Sequence, residues 1–149
     1  MRFLSILFLF FISIISSYSL SDVDAQRIYR DIVVANGISH APALIFSGSS
    51  DIDARYENNG PIVITEGMLR FVHNKDELAH ILGHELAHFT TYHSGSDEWF
   101  NEYGADLLGA FYMQRAGYNK CVGVQALKRV PWDKSHPNPL DRIKHVGCS

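Results

Sequence analysis

The sequence has little of what marks several large protein classes. Only two of its 149 residues are cysteine, Cys121 and Cys148. Two cysteines do not make a disulfide framework. In an oxidising compartment they would pair and tie the chain's tail back onto the segment around Cys121, and two free thiols are the alternative. Lys and Arg number 13 against 16 Asp and Glu, a net charge of −3. No basic patch and no stripe of interleaved aromatic and basic residues stands out, so nucleic acid is not an expected partner. No internal repeat and no low-complexity tract follows the first twenty residues.

Those first residues are the one strongly apolar stretch. Arg2, an apolar run over 3–15 and then Ser16, Ser17 and Ser19 have the layout of a secretory signal, with cleavage expected near Ser19 or Ser21. Retention of 3–20 as an uncleaved anchor is the alternative, and it is the only route by which a membrane would be engaged. No cysteine follows closely, which argues against a lipid-modified N-terminus. The expected plan is a signal over 1–20 and one domain over 21–149, a length of roughly 130 residues that suffices for a single core. The expected location is periplasmic or secreted.

What is present is a compact run of chemistry at His84, Glu85, Leu86, Ala87 and His88. One helical turn separates the two histidines and aims both at one point, which is half of a zinc site. Glu85 then sits beside the metal without ligating it, where it can take a proton from a zinc-activated water. Chance alone produces such a match in roughly 2% of chains of this composition, so context decides. Asn74 with Glu77 three residues on predicts a helix start, and Leu78, Ile81, Leu82, Leu86 and Phe89 recur as one apolar stripe. Ala79, Gly83 and Ala87 on the other side let a second element approach closely. A carboxylate and two imidazoles on a helix packed on most sides need a compensating partner, and a metal supplies one.

A third ligand is expected from the next segment. The helix should run to about His93, with Ser94, Gly95, Ser96 and Asp97 as a break and cap before a second helix that starts near Glu98 and closes at Gly117. Helices joined by so short a loop are antiparallel neighbours. Counting down the second at about 1.5 Å per residue returns Glu102 to the level of His88 and Asp106 to that of His84 or Glu85. Glu102 is therefore the expected third ligand, and Asp106 the expected acceptor for the free ring N–H of a ligating histidine. Glu98 and His80 are the rivals to Glu102. A hydrogen-bonded or partly exposed state is expected for His80, and His40, His73, His93 and His145 have no partner at ligand spacing. Tyr103, Phe111 and Tyr112 read as packing residues.

At these residues the chain resembles the M48-type gluzincin metallopeptidases, Ste24-like and HtpX-like. The matching text is DELAHILGHELAH, with ENNGPIVITEGML upstream, NEYGADLLGAFYMQRAGY downstream and SHPNPLDRI near the end, covering about residues 42–145. The resemblance implies His84, His88 and Glu102 as zinc ligands, Glu85 as base and Asp106 behind a ligand. It also implies that His136 and Arg142 lie near the active site, His136 as a further contributor to catalysis and Arg142 bracing an acid or binding substrate carbonyls. Read without it, His136 is a loop histidine and Arg142 a surface charge. Many members carry a long insertion between the two helices. Here the short loop predicts a more open cleft.

Upstream, 42–46, 52–56 and 61–65 read as strands separated by turns at Ser47, Gly48, Ser49 and Ser50 and at Asn58, Asn59 and Gly60. Pro61 suggests that the third strand is an edge, since proline cannot donate to a central ladder. Ile62, Val63 and Ile64 would then bind an extended substrate by strand addition, as the strand before the motif helix does in gluzincins, and a covered edge is the alternative. A further amphipathic helix is expected over 121–130. The whole reads as an α+β, zincin-like fold: a small, mostly antiparallel sheet packed on an active-site helix hairpin, with a C-terminal helix. It would hold one Zn2+ per chain and cleave peptide bonds of unfolded or envelope proteins. A zinc-binding but inactive chaperone or adaptor is the alternative.

Overall fold

The computed structural model describes residues 19–91, 98–131 and 137–149, with the side chains of 98–100 outside that description. Among the described residues, six helices and three short strands build one α+β unit. Helix α1 (Asp22–Asn36) opens on a capping box in which Ser21 and Asp24 satisfy each other's backbone N–H, and it ends where Gly37 turns left-handed at φ 61°. Strands β1 (Leu44–Ser47), β2 (Ala54–Tyr56) and β3 (Ile62–Thr65) follow. Next come α2 (Glu66–Phe71) and α3 (Lys75–Thr90), the second capped by Asn74 at the N–H of Glu77. Helices α4 (Glu98–Arg115), α5 (Lys120–Gly123) and α6 (Pro139–His145) complete the chain, with a 3-10 turn over Val124–Lys128 after α5. Among the described residues no helix is long and apolar enough to cross a membrane.

The sheet order is β1-β3-β2, with β1 parallel and β2 antiparallel to β3. It is thus mixed where a mostly antiparallel sheet was expected, and the expected edge is its centre. Ile62, Val63 and Ile64 lie in the middle strand, buried and paired on both sides, so they do not receive a substrate strand. The physical reason is local. Pro61 stands one residue before the ladder, where its carbonyl accepts from Glu57 while Ile62 donates to Ala43, so its missing N–H costs little. The edge nearest the helices is β2.

Helix α3 is the centre of the molecule. From Glu77 to Ala87 every residue is buried, by α4 along one side and by α1, α5 and β2 around the rest. Helices α3 and α4 cross at Gly83 and Gly109. A Cβ on Gly83 would lie 2.7 Å from the Gly109 carbonyl oxygen, and one on Gly109 would lie 2.6 Å from the His84 backbone nitrogen. Only glycine at both positions lets the backbones meet this closely.

Ile28, Ile32, Ile62, Ile64, Leu78, Leu82 and Leu86 form the main core. A smaller apolar cluster of Ala110, Val124, Leu127, Ile143 and Val146 lies under α6. There Cys121 and Cys148 form a disulfide, so the tail is tied to α5. The single helix expected over 121–130 is instead α5 and the 3-10 turn. Gly123, packed directly against the Asp76 backbone, sits where the winding changes.

Candidate active site

His84 and His88 point from successive turns of α3, and Glu102 reaches them from α4. The two Nε2 atoms are 3.1 Å apart. Glu102 Oε1 is 3.3 Å from His88 Nε2, and Oε2 is 3.6 Å from His84 Nε2. One ligand atom from each of the three lies within 4.8 Å of the other two. Ligands about 2.1 Å from a tetrahedral ion lie about 3.4 Å apart, which is the spacing seen here. Two imidazoles and one carboxylate are also the donor set of a hydrolytic zinc site that keeps a position open. The residues present fit a zinc ion.

Behind them stands a charged brace. His84 Nδ1 is 2.9 Å from Asp106 Oδ1, which leaves Nε2 for the front of the site. Arg142, from α6, donates to both oxygens of Asp106, from Nε at 2.6 Å and Nη2 at 2.7 Å, and its Nη2 lies 3.3 Å from Glu102 Oε2. Asp106 is fully buried, yet Arg142 and His84 hold its pKa well below the usual carboxylate range, outweighing the effect of burial. For Glu102 burial is likewise overcome, by bonds to His84 and His88, and its pKa is lowered. Burial works against a charge on His84, but Asp106 and Glu102 outweigh it and push its pKa up to about 10. The two acids thus favour the protonated imidazole over the neutral one when no metal is bound.

Glu85 sits on the cleft side. Its Oε2 accepts the backbone N–H of Tyr56 at 2.7 Å, and Tyr56 in turn packs edge-on to Phe89. Burial raises the Glu85 pKa, only partly offset by the nearby histidines. The cleft in front is about 750 Å3 and is lined by Ala54, Tyr56, His84, Glu85, Glu102 and Arg142 among others.

Of the residues singled out from sequence, the structure brings together His84, Glu85, His88, Glu102, Asp106 and Arg142. It keeps Ile62, Val63 and Ile64 in the central strand, away from any free edge. His136 lies outside the described residues. His80 stands apart from the triad, its Nε2 3.9 Å from Asp106. A hydrogen-bonded or partly exposed state was expected for it; instead it is 1% exposed, with neither ring nitrogen hydrogen-bonded among the described residues. The reason is that His84 and Arg142 already occupy Asp106 Oδ1. Burial lowers the His80 pKa to about 4, so it is neutral. Among the described residues, a polar group at the site that the sequence did not announce is the Tyr56 amide. A backbone N–H is offered by every residue but proline, so no side-chain pattern announces it.

The model of peptidase family M48 matches residues 19–98. No curated protein matches the chain. The matched stretch runs from the start of α1 through the two histidines and Glu85 and stops at the first residue of α4. The parts played by Glu102, Asp106 and Arg142 thus rest on the geometry above.

Proposed function

The chain belongs to peptidase family M48, a family of zinc metallopeptidases, and from that premise we propose that it is an exported zinc-dependent endopeptidase acting on extended segments of unfolded or envelope proteins. The observation that carries this reading is the convergence of His84, His88 and Glu102 on one point with Glu85 alongside. His84, His88 and Glu102 would hold the zinc, one ion per chain. When bound, zinc supplies Lewis acidity, polarising the scissile carbonyl and making water easier to deprotonate.

The remaining chemistry belongs to the chain. Glu85 takes a proton from the attacking water and later returns it to the leaving amine. Its burial suits both steps, because a raised pKa makes the carboxylate a stronger base and the acid form easier to keep. Asp106 orients His84 through Nδ1, and Arg142 balances the charge of Asp106 and Glu102. The outer edge of β2 borders the cleft, which suits binding of an extended main chain with little sequence preference. The disulfide between Cys121 and Cys148 and the signal-like first twenty residues support action outside the reducing cytoplasm.

The test is cleavage of an unstructured protein such as casein by the zinc-loaded chain. We expect chelator-sensitive cleavage that falls by about a thousandfold or more in Glu85→Gln, with zinc content unchanged. Full activity in Glu85→Gln would overturn the mechanism. Zinc binding with no cleavage by the wild type would favour an inactive adaptor.

A further inference from the structure

Folded proteins leave few buried polar groups without a partner, because each one forfeits the hydrogen bonds it made to water. Among the described residues three buried side-chain nitrogens stand in that position, Nε of Arg129 and both ring nitrogens of His80. Arg129 is accounted for by the end of its guanidinium, which donates to Glu77 at 2.7 Å and lies over the ring of Phe71. His80 has no such account. It is buried in the middle of α3, one turn before His84, where a leucine would pack with no polar atom to satisfy. Burial keeps its ring neutral, so one nitrogen carries a proton and the other a lone pair.

An acceptor stands close by. Asp106 Oδ1 is 3.9 Å from His80 Nε2, about 1 Å beyond a hydrogen bond. That oxygen already accepts from His84 Nδ1 at 2.9 Å and from Arg142 Nη2 at 2.7 Å, one donor for each lone pair. The two donors are not equally committed. Arg142 holds Asp106 by a second bond as well, from Nε to Oδ2 at 2.6 Å, and its Nη2 lies 3.3 Å from Glu102 Oε2 in the wall of the cleft. A pivot of the guanidinium about the Nε bond therefore turns Nη2 toward the cleft without releasing Asp106. It also opens a place on Oδ1 that His80 reaches by a small turn of its ring.

We propose that His80 is a positioning residue, a reserve donor whose Nε2–H moves onto Asp106 Oδ1 when Arg142 Nη2 turns to an acceptor in the cleft. The inference rests on the peptidase reading of the site, in which that acceptor is a carbonyl or carboxylate oxygen of a peptide. Arg142 is then free to bind while Asp106 keeps its donors, so the carboxylate that orients His84 holds its place. Without His80 the same turn leaves a buried carboxylate oxygen one donor short.

The competition between the two donors is read without turnover, in a double-mutant cycle on the full metal-free chain followed by urea unfolding. With Arg142 in place, His80→Leu removes an unbonded imidazole. With Arg142→Ala, Oδ1 is open and His80 is bonded to it, so His80→Leu should lower the folding equilibrium constant by about tenfold more than it does with Arg142 present. A crystal structure of Arg142→Ala should show His80 Nε2 about 3 Å from Asp106 Oδ1. Arg142→Lys, which keeps the charge but not the fork, replaces Arg142→Ala in both measurements if that variant does not fold.

Turnover of casein by the zinc-loaded chain then separates a donor from a packing residue. His80→Leu should lower kcat/KM about tenfold. His80→Gln, which keeps an N–H of similar reach, should recover most of that loss, and His80→Phe, which keeps only a ring, should not. An equal cost of His80→Leu in both backgrounds of the cycle, an imidazole that stays 3.9 Å from Asp106 once Arg142 is removed, or an unchanged kcat/KM in His80→Leu would overturn the proposal. If the wild type cleaves nothing, the peptidase reading fails, while the cycle and the variant structure still decide whether His80 is a donor held for Asp106.

Discussion

At the scale of single residues, His84 stands between two carboxylates, Asp106 at Nδ1 and Glu102 at Nε2. Folding raises the His84 pKa from 6.5 to about 10, because Asp106 and Glu102 outweigh the burial that opposes the charge. A raised pKa in the folded state gives stability that is fully present below about pH 6.5 and is lost as pH rises through about 10. Zinc needs the neutral ring, so metal and proton compete for His84. We expect zinc affinity of the metal-free protein to rise about tenfold per pH unit between pH 7 and 9. Calorimetry in buffers of different ionisation enthalpy should detect at least one proton released per zinc. Affinity that does not change with pH would show that the imidazole is already neutral.

The same scale shows what a sequence carries and what it does not. His84, Glu85 and His88 are legible because a side-chain pattern on a helix encodes a direction. Arg142 was legible only through likeness to a family, since nothing in the local pattern says that a residue 36 positions from Asp106 returns to it. For His80, solvent or a hydrogen bond was a sound default. It failed because the acceptor beside it is saturated by two other donors.

At the scale of elements, helix geometry could be counted and sheet order could not. A rise of about 1.5 Å per residue, counted across an assumed short loop, put Glu102 level with His88 and Asp106 with His84, and those pairs do face each other although α3 ends at Thr90 rather than near His93. The order β1-β3-β2 has no such count behind it, because proline at the start of a strand fits an edge and a centre alike. Helix α1 had readable signals, a capping box at Ser21 and Asp24 and a left-handed Gly37, but carries no chemistry of its own to draw attention.

The element contact that decides the site is the crossing at Gly83 and Gly109. It fixes the distance between the helix of the two histidines and the helix of Glu102. Gly109→Ala places a methyl group against the His84 backbone and should cost about 1–3 kcal/mol in urea unfolding. It should also weaken zinc binding, since the helices must part. Unchanged stability and zinc affinity in that variant would mean that the crossing is not a constraint.

For the whole molecule, the smaller core and the disulfide have a job at a distance. Arg142 reaches the site from α6, and α6 rests on Val124, Leu127, Ile143 and Val146, with Cys148 tied to Cys121 just beyond. The bond closes a separation of 27 residues, for which loop entropy suggests about 3–4 kcal/mol of stabilisation. Cys121→Ser with Cys148→Ser should lower stability by about that much, measured by urea unfolding of the metal-free chain. A variant as stable as the oxidised wild type would show that the smaller core holds α6 unaided.

The proposed zinc site of three side chains from two helices, His84, His88 and Glu102, holds one ion per chain only if Glu102 is a ligand. It is tested most directly by the zinc content of the purified, dialysed chain, measured beside that of Glu102→Ala. About one zinc per wild-type chain and a clear loss in Glu102→Ala is the expected result. An unchanged stoichiometry in the variant would contradict the account and remove Glu102 from the ligand set.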